Sequence, residues 1–556
     1  MSLRGRPLAV SLFVWLLGTV AACIFVHRAF ALDVDEAHPR RVVASVWHRG
    51  KLLARAVLAS ADEPSPALGA ALTANPEATL VHESIVAEGP VVTWSSVALA
   101  LSFVPGRDGI AASLGDRVAY LTPDDLLASQ EYDHGFSIDS LQLTAGVDMA
   151  RAIAVLSGEL GTTARELLDR GTLRRIRVVR TTPMASPVRT ATAAELTRDD
   201  ARSAAFAAGY YLARGVDADG RFRYMVDAPT NRTLPGYDWP RHAGATYFLA
   251  QVASRSGDSQ VAWAALRAAS WLRDHAMVDC GEHKCIGDGA IVDVGSTALT
   301  VLAFVEIART GLDAGYRQVV PALTAFLRAQ QRPDGEFMHL YDRPARSPID
   351  KQLLYYSGEA AFALSRAHAL LGDPRDLDAA TRALAHLVGG AWTFFGSRYY
   401  WGEEHWTCQA MDDLWERAPS TTALRFCLSW QAFSRKLQYG PEDTPFDADG
   451  GYGFGPLVTP RLTPVGSRSE SGIATLEAAR HAGLPPDECA ALERQMRRSL
   501  ALLMRHQLHK ERCYLCADPA AIDGAMPGSE VDWQLRIDYA QHAGSALLRW
   551  VELRGE

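Results

Sequence analysis

The sequence has no excess of basic charge: 56 Lys and Arg against 64 Asp and Glu leave a formal net charge of -8 and a pI near 6.1. A chain that binds a phosphate backbone needs a basic footprint, so nucleic acid is not an expected partner. Cysteine is sparse too, at eight in 556 residues. Neither Cys280 and Cys285 with His283, nor Cys513 and Cys516 with His506 and His509, sets out a clean four-ligand zinc pattern. No metal and no cofactor is expected. In an exported chain such local pairs read as disulfides, Cys280 with Cys285 and Cys513 with Cys516. What remains is an ordinary globular composition, 48% hydrophobic and 22% charged, in a chain long enough for two or more domains.

Arg4 and Arg6 precede an apolar run from Leu8 to Val26, and Ala29-Phe-Ala then offers a small-x-small cleavage site. Three readings stay open: a cleaved signal peptide within residues 1–31, an uncleaved anchor at 8–26, or a lipoprotein signal ending at Cys23. Each expects an exported protein, on the periplasmic or extracellular face, with a membrane partner only through this segment.

Residues 40–182 alternate β-rich runs such as Arg41-Val-Val-Ala-Ser-Val-Trp with short helical patches, which predicts an α+β domain. Within it Pro105-Gly-Arg-Asp-Gly-Ile leads through Gly115-Asp-Arg-Val-Ala-Tyr to Leu121-Thr-Pro. This segment, residues 105 to 127, resembles the AMME-syndrome-candidate family, a resemblance that implies a fold and carries over no catalytic residue. Two prolines and little apolar periodicity mark residues 183–194 as a linker.

From 195 to 556 the pattern is helical, and the helices pair. Trp239 to Ser256 pairs with Ser259 to His275, Asp293 to Thr310 with Ala314 to Gln331, and Leu353 to Leu371 with Asp376 to Val388. Glu403 to Glu416 then pairs with Ser420 to Leu437, and Ser469 to Ala482 with Pro486 to His506. Ala193 to Arg214 and Ile537 to Leu553 remain to close a ring. The first helix of each pair starts polar or aromatic and then turns Gly/Ala/Ser-rich, as in Leu354-Tyr-Tyr-Ser-Gly-Glu-Ala-Ala. The second is amphipathic. The expected fold is therefore an N-terminal α+β domain followed by an all-α (α/α)6 toroid. Turns such as Gln331-Arg-Pro-Asp-Gly-Glu-Phe, Asp447-Ala-Asp-Gly-Gly-Tyr and Asp523-Gly punctuate it and suit helix ends.

A closed toroid gathers the starts of its inner helices at one end of its axis, and the residues there are rich in acids, imidazoles and aromatics. Paired acids move protons or attack, and aromatic faces stack on sugar rings. The candidate catalytic residues are Glu359 and Glu404, with Asp238 or Asp538 as partner carboxylate. Tyr356, Trp239 and Trp401 are candidates to hold a sugar, with His242, His405 and His542 beside them and Arg241 placed to meet a uronate carboxylate. Acids at helix starts also serve as caps, worth about 0.5–2 kcal/mol each, and Asp293 reads first in that role.

Leu353-Leu-Tyr-Tyr-Ser-Gly-Glu-Ala-Ala-Phe-Ala-Leu and Arg536-Ile-Asp-Tyr-Ala-Gln-His-Ala-Gly-Ser-Ala-Leu resemble the (α/α)6 domains of glycoside hydrolases, polysaccharide lyases and glucuronyl C5-epimerases. That resemblance implies an exported carbohydrate-active enzyme working on an envelope polysaccharide by hydrolysis, elimination or uronate epimerisation. The alternative is a non-catalytic envelope protein that binds a glycan or a protein partner.

Overall fold

The computed structural model describes residues 32–91, 99, 102–133, 146–181, 192–390, 404–443, 447–453 and 459–553. Segment 8–26, most of the expected linker 183–194, Trp401 and the side chain of Glu404 lie outside the described residues. Among the described residues no helix is long and apolar enough to cross a membrane.

Strands β1 (Arg41–His48), β2 (Lys51–Leu58), β3 (Thr79–Pro90), β4 (Asp108–Leu114), β5 (Arg117–Leu121) and β6 (Thr172–Thr181) form one antiparallel sheet in the order β2-β1-β3-β6-β4-β5. β1 is apolar on both faces because both are covered. Val42, Ala44 and Val46 pack with Leu68 of the helix Pro66–Ala74, while Val43 meets Ile85 and Ile176 on the other side. The segment 105–127 forms the β4–β5 hairpin and the helix Pro123–Ala128 after it.

The helical part of the chain contains α1 (Arg198–Arg214), α2 (Trp239–Ser256), α3 (Ser259–Trp271), α4 (Val294–Arg309), α5 (Val320–Ala329) and α6 (Tyr356–Leu371). It continues with α7 (Pro374–Gly390), α8 (Glu404–Leu414), α9 (Thr421–Arg435), α10 (Leu462–His481), α11 (Pro486–His506) and α12 (Ile537–Glu552). The even-numbered helices pack side by side in the order α2, α4, α6, α8, α10, α12 and back to α2, an inner ring. The odd-numbered helices lie outside it, and α1 closes the circle against α12. Inner helices are enclosed on every side, so they must be apolar or small all round. In α4 every residue from Val294 to Ile307 is buried. The helical part is not all-α, however. Short strands pair in its loops, Met225–Asp227 with Gln534–Arg536 and Met277–Cys280 with His283–Ile286.

The glycine turns staple the outer ring. Gln331, Gln438 and Gln507 each donate from Nε2 to the carbonyl of a turn glycine, namely Gly335, Gly450 and Gly524. Each also donates to a carbonyl on the next outer helix, Ala379, Gln495 and Ala204. The glycines sit at φ +95°, +95° and +86°, and a Cβ there would run into the carbonyl of Arg382, Arg498 or Ala207.

At the C-terminal ends of the inner helices an ion-pair chain closes the axis. Arg255 of α2 reaches Glu306 of α4 at 3.3 Å, Glu306 accepts from Arg366 of α6 at 2.9 Å, and Arg366 meets Asp413 of α8 at 3.2 Å. Arg549 of α12 holds Asp412 at 3.3 Å. The two parts of the chain share a core: Leu515 and Val531 pack among Trp47, Phe103 and Leu126, and Tyr514 donates to Asp124 Oδ2 at 2.7 Å. Tyr514 lies in the loop bridged by Cys513 and Cys516. Cys280–Cys285 is also bridged, and so is Cys408–Cys427 between α8 and α9, a pair too far apart in sequence to read as local.

Candidate active site

With its C-terminal end closed, the ring opens at the other end into a cavity of about 1020 Å³, lined by the first turns of all six inner helices. Two of those starts are capped by acids, and a third carries one in its first turn. Asp238 caps α2 by accepting from the Arg241 amide at 3.0 Å, ahead of Pro240 in the first turn. Asp293 caps α4 through the Ser296 amide at 2.6 Å and hydroxyl at 2.9 Å. Asp538 lies in the first turn of α12.

Asp238 and Asp538 are neutralised within the protein. Arg241 pairs with Asp238 and donates through Nε to Asp538 at 3.2 Å, and Tyr224 donates to Asp238 at 2.9 Å. Arg536 grips Asp538 with two hydrogen bonds of 2.6 and 2.8 Å. Burial would raise the Asp538 pKa, but the Arg536 hydrogen bonds and charge, with Arg241, hold it below the usual value. Both expected partner carboxylates are thus held in arginine clamps, and its lowered pKa weakens Asp538 as a proton acceptor. Arg241, expected to meet a uronate, is occupied by carboxylates of its own chain.

Glu359 behaves differently. It is buried on α6, its Oε2 has no hydrogen-bond partner, and it lines the cavity. Burial first, and the negative charge of Asp293 second, push its pKa well above the usual carboxyl range. Asp293 is itself raised by burial. Gly295 permits this arrangement, since a Cβ there would strike the Tyr356 ring and come within 2.6 Å of Glu359 Oε2.

The start of α6 is fixed from behind. His339 accepts from the Leu353 amide at Nδ1 (2.6 Å), so its Nε2–H donates to Ser357 (2.7 Å), and Ser357 donates to Glu336. Glu336 pairs with His386 of α7 at 3.2 Å. This chain holds the loop in which Tyr355 adopts φ +79°, strain of the kind found at functional sites. Tyr355 stands at the cavity with its ring 5.6 Å from that of His405.

On the other wall, His542 of α12 donates from Nδ1 to buried Glu470 at 2.7 Å, and its ring lies edge-on to His405 at 5.5 Å. In the neutral form of the ring that bond places the proton on Nδ1 and leaves the Nε2 lone pair available. Its apparent counterpart His242 has another role. Tyr237 donates to Nδ1 at 2.6 Å, and Nε2 donates to the Ala268 carbonyl at 2.9 Å. Fully buried, and with its pKa lowered to about 4 by burial, His242 supports Tyr237 and does not reach the cavity.

No family model matches the chain, and no curated protein matches it by sequence. Solved structures do match in shape. A D-mannose isomerase aligns at 10% identity over 63% of this chain and 96% of its own, with a TM-score of 0.46. A sugar epimerase from a ruminal bacterium aligns at 10% identity over 65% and 100%, with a TM-score of 0.48. The GH76A α-1,6-mannanase from Salegentibacter sp. HEL1_6 aligns at 11% over 64% and 100%, with a TM-score of 0.46. At these scores none of them decides the chemistry, which has to be read from the cavity itself.

Of the residues singled out from the sequence, Glu359, Tyr356, Asp238, Trp239, Arg241, Asp538, His405 and His542 line this one cavity. Sequence reasoning missed Arg221, Trp271, His275, Arg461 and Arg536 there. Arg461 was hidden because α10 begins at Leu462 and not at Ser469. Arg468 lines the cavity from further along that helix and is buried, as is Glu470 beyond it.

Proposed function

We propose that this chain is an exported carbohydrate-active enzyme in which Glu359 is the general acid and His542, backed by Glu470, is the base, acting on an envelope polysaccharide. The observation that carries this reading is a buried carboxyl with an unpartnered Oε2, its pKa raised by burial, and an imidazole hydrogen-bonded to Glu470, on helices from opposite sides of one cavity. Tyr355, Tyr356, Trp239 and Trp406 supply aromatic faces around them. A proton donor and a proton acceptor in one aromatic-lined site serve hydrolysis, elimination or epimerisation of a sugar. The three disulfides support folding outside the cytoplasm.

One observation favours a second reading, a glycan-binding protein without turnover: Asp238 and Asp538 are bound in arginine pairs. Turnover separates the two. A panel of envelope and uronate-containing polysaccharides is assayed for reducing ends, unsaturated-uronate absorbance and solvent-deuterium incorporation. Activity lost in both Glu359→Gln and His542→Gln sustains the enzyme. Glycan binding with no signal in any channel leaves the binding protein.

A further inference from the structure

We propose that the rim of the cavity around Arg221 is an anion-recognising subsite, so that the saccharide bound here carries a carboxylate or sulfate on the ring that reaches it. This rests on the reading that the cavity binds a saccharide, and it goes further by naming the charge of that saccharide and the side chain that reads it.

Arg221 is built into a stiff turn. Asp217 Oδ1 accepts from the amides of Asp219, Gly220 and Arg221 at 3.0, 2.9 and 2.9 Å, and Val216 bridges to Phe222 across the turn. Gly220 sits at φ +103°, pressed on the Arg267 carbonyl of α3. The guanidinium lies 4.6 Å from the centre of the Tyr237 ring and 5.5 Å from that of Trp271. Tyr237 is held in turn by the Phe222 amide at 3.1 Å and by His242. Arg221 also hydrogen-bonds Tyr237, and the remaining N–H groups of its guanidinium are left for an anionic acceptor.

Its neighbours are committed elsewhere: Arg241 and Arg536 to Asp238 and Asp538, and Arg461 to Asp532 at 2.9 Å. Arg221 is exposed and pairs with no carboxylate among the described residues; of the two acids in its own turn, Asp217 accepts from backbone amides through Oδ1 and Asp219 is exposed. Beside it Trp271 and His275, with ring centres 4.1 Å apart and planes inclined at 34°, give an aromatic wall for a sugar ring. The exposed Asp288 lies on the same wall, and an anionic ring must keep clear of it. The two charges therefore act in opposite directions.

The test is calorimetric binding by the full chain of a galacturonate tetrasaccharide, a sulfated tetrasaccharide and a neutral mannotetraose. At low salt one or both acidic ligands bind about tenfold tighter than the neutral one, as expected for one charge-assisted bidentate pair, and the gap narrows as salt is raised. Arg221→Gln brings acidic binding down to the neutral level and leaves neutral binding unchanged. Arg221→Lys retains part of the preference, and Asp288→Asn strengthens only the acidic ligands. The ligand that shows the larger loss in Arg221→Gln identifies the anion.

A preference that survives Arg221→Gln, or equal binding of all three ligands, overturns the subsite and leaves the saccharide reading standing. Failure of the wild-type protein to bind any of the three overturns both.

Discussion

If Glu359 is kept protonated, replacing it with Gln must change stability and activity in opposite directions. Below the usual glutamate value of 4.5 the carboxyl is protonated in both folded and unfolded chains, and the substitution has no pH-dependent effect. Above it the unfolded chain releases the proton while the folded chain keeps it. The wild-type protein then loses about 1.4 kcal/mol of stability per pH unit through this group, until the pH reaches the raised folded pKa. The glutamine variant has no proton to lose. The amide brings its own unpartnered donors, but that offset does not depend on pH, so the slope is the diagnostic. Urea titrations of both proteins at several pH values should show the Gln variant gaining on the wild type above pH 4.5 at that rate. Turnover should fall by about 10²- to 10⁴-fold, the range for loss of a general acid. A stability difference that stays flat with pH would refute the protonated carboxyl, and unchanged turnover would refute its role.

Gly295→Ala pushes a methyl into Tyr356 and Glu359. It should cost about 1–3 kcal/mol in thermal unfolding and lower turnover while far-UV helicity is kept. Glu306→Gln strips the carboxylate from Arg255, Arg309 and Arg366, a loss of about 3–5 kcal/mol for a broken buried pair. Although burial opposes it, Arg366 and its neighbours hold the Glu306 pKa below 4.5. The loss should therefore be full above pH 4.5 and shrink as the pH falls, as denaturation at two pH values would show. Glu336→Gln releases Ser357 and His386 behind the strained Tyr355 loop, and should weaken saccharide binding with the ring intact. Hydrogen bonding to Glu336 raises the His386 pKa, so the pair contributes fully below pH 6.5 and fades as the pH rises through the raised value; the binding defect should fade with it.

The inner and outer helices were legible because each obeys one rule of burial, enclosed and mostly apolar or small for α4, amphipathic for α11. The boundary of α10 was not legible, because Pro464 and Gly466 look like breakers. In the first turn a proline removes no needed amide donor, and Gly466 is where α10 packs on His542. The funnel of polar helix starts could be read from sequence, but the roles within it could not. Asp293 reads as a cap and is one, yet its charge also raises Glu359. The Arg-His-Ala-Gly and Gln-His-Ala-Gly patterns look equivalent, and only their neighbours, Tyr237 and Ala268 for His242 and Glu470 for His542, tell a prop from a base. Charge pairing between residues hundreds of positions apart, such as Arg241 with Asp538, leaves no local signature.

The last of the three outer-ring staples has a consequence for how the molecule is made. Gln507 and Gly524 fasten onto Ala204 and Ala207, so the helix synthesised first in the ring finds its partners among residues translated some three hundred positions later. During synthesis α1 lacks the partners on that flank until α11 and α12 emerge, so the helices before them can form at most an open spiral. Loss of α12 alone would leave that spiral permanently open, with the wall that carries His542 and Asp538 missing. Completion of the chain is thus also completion of the cavity: a product truncated before α12 would keep Glu359 and lack His542 and Asp538.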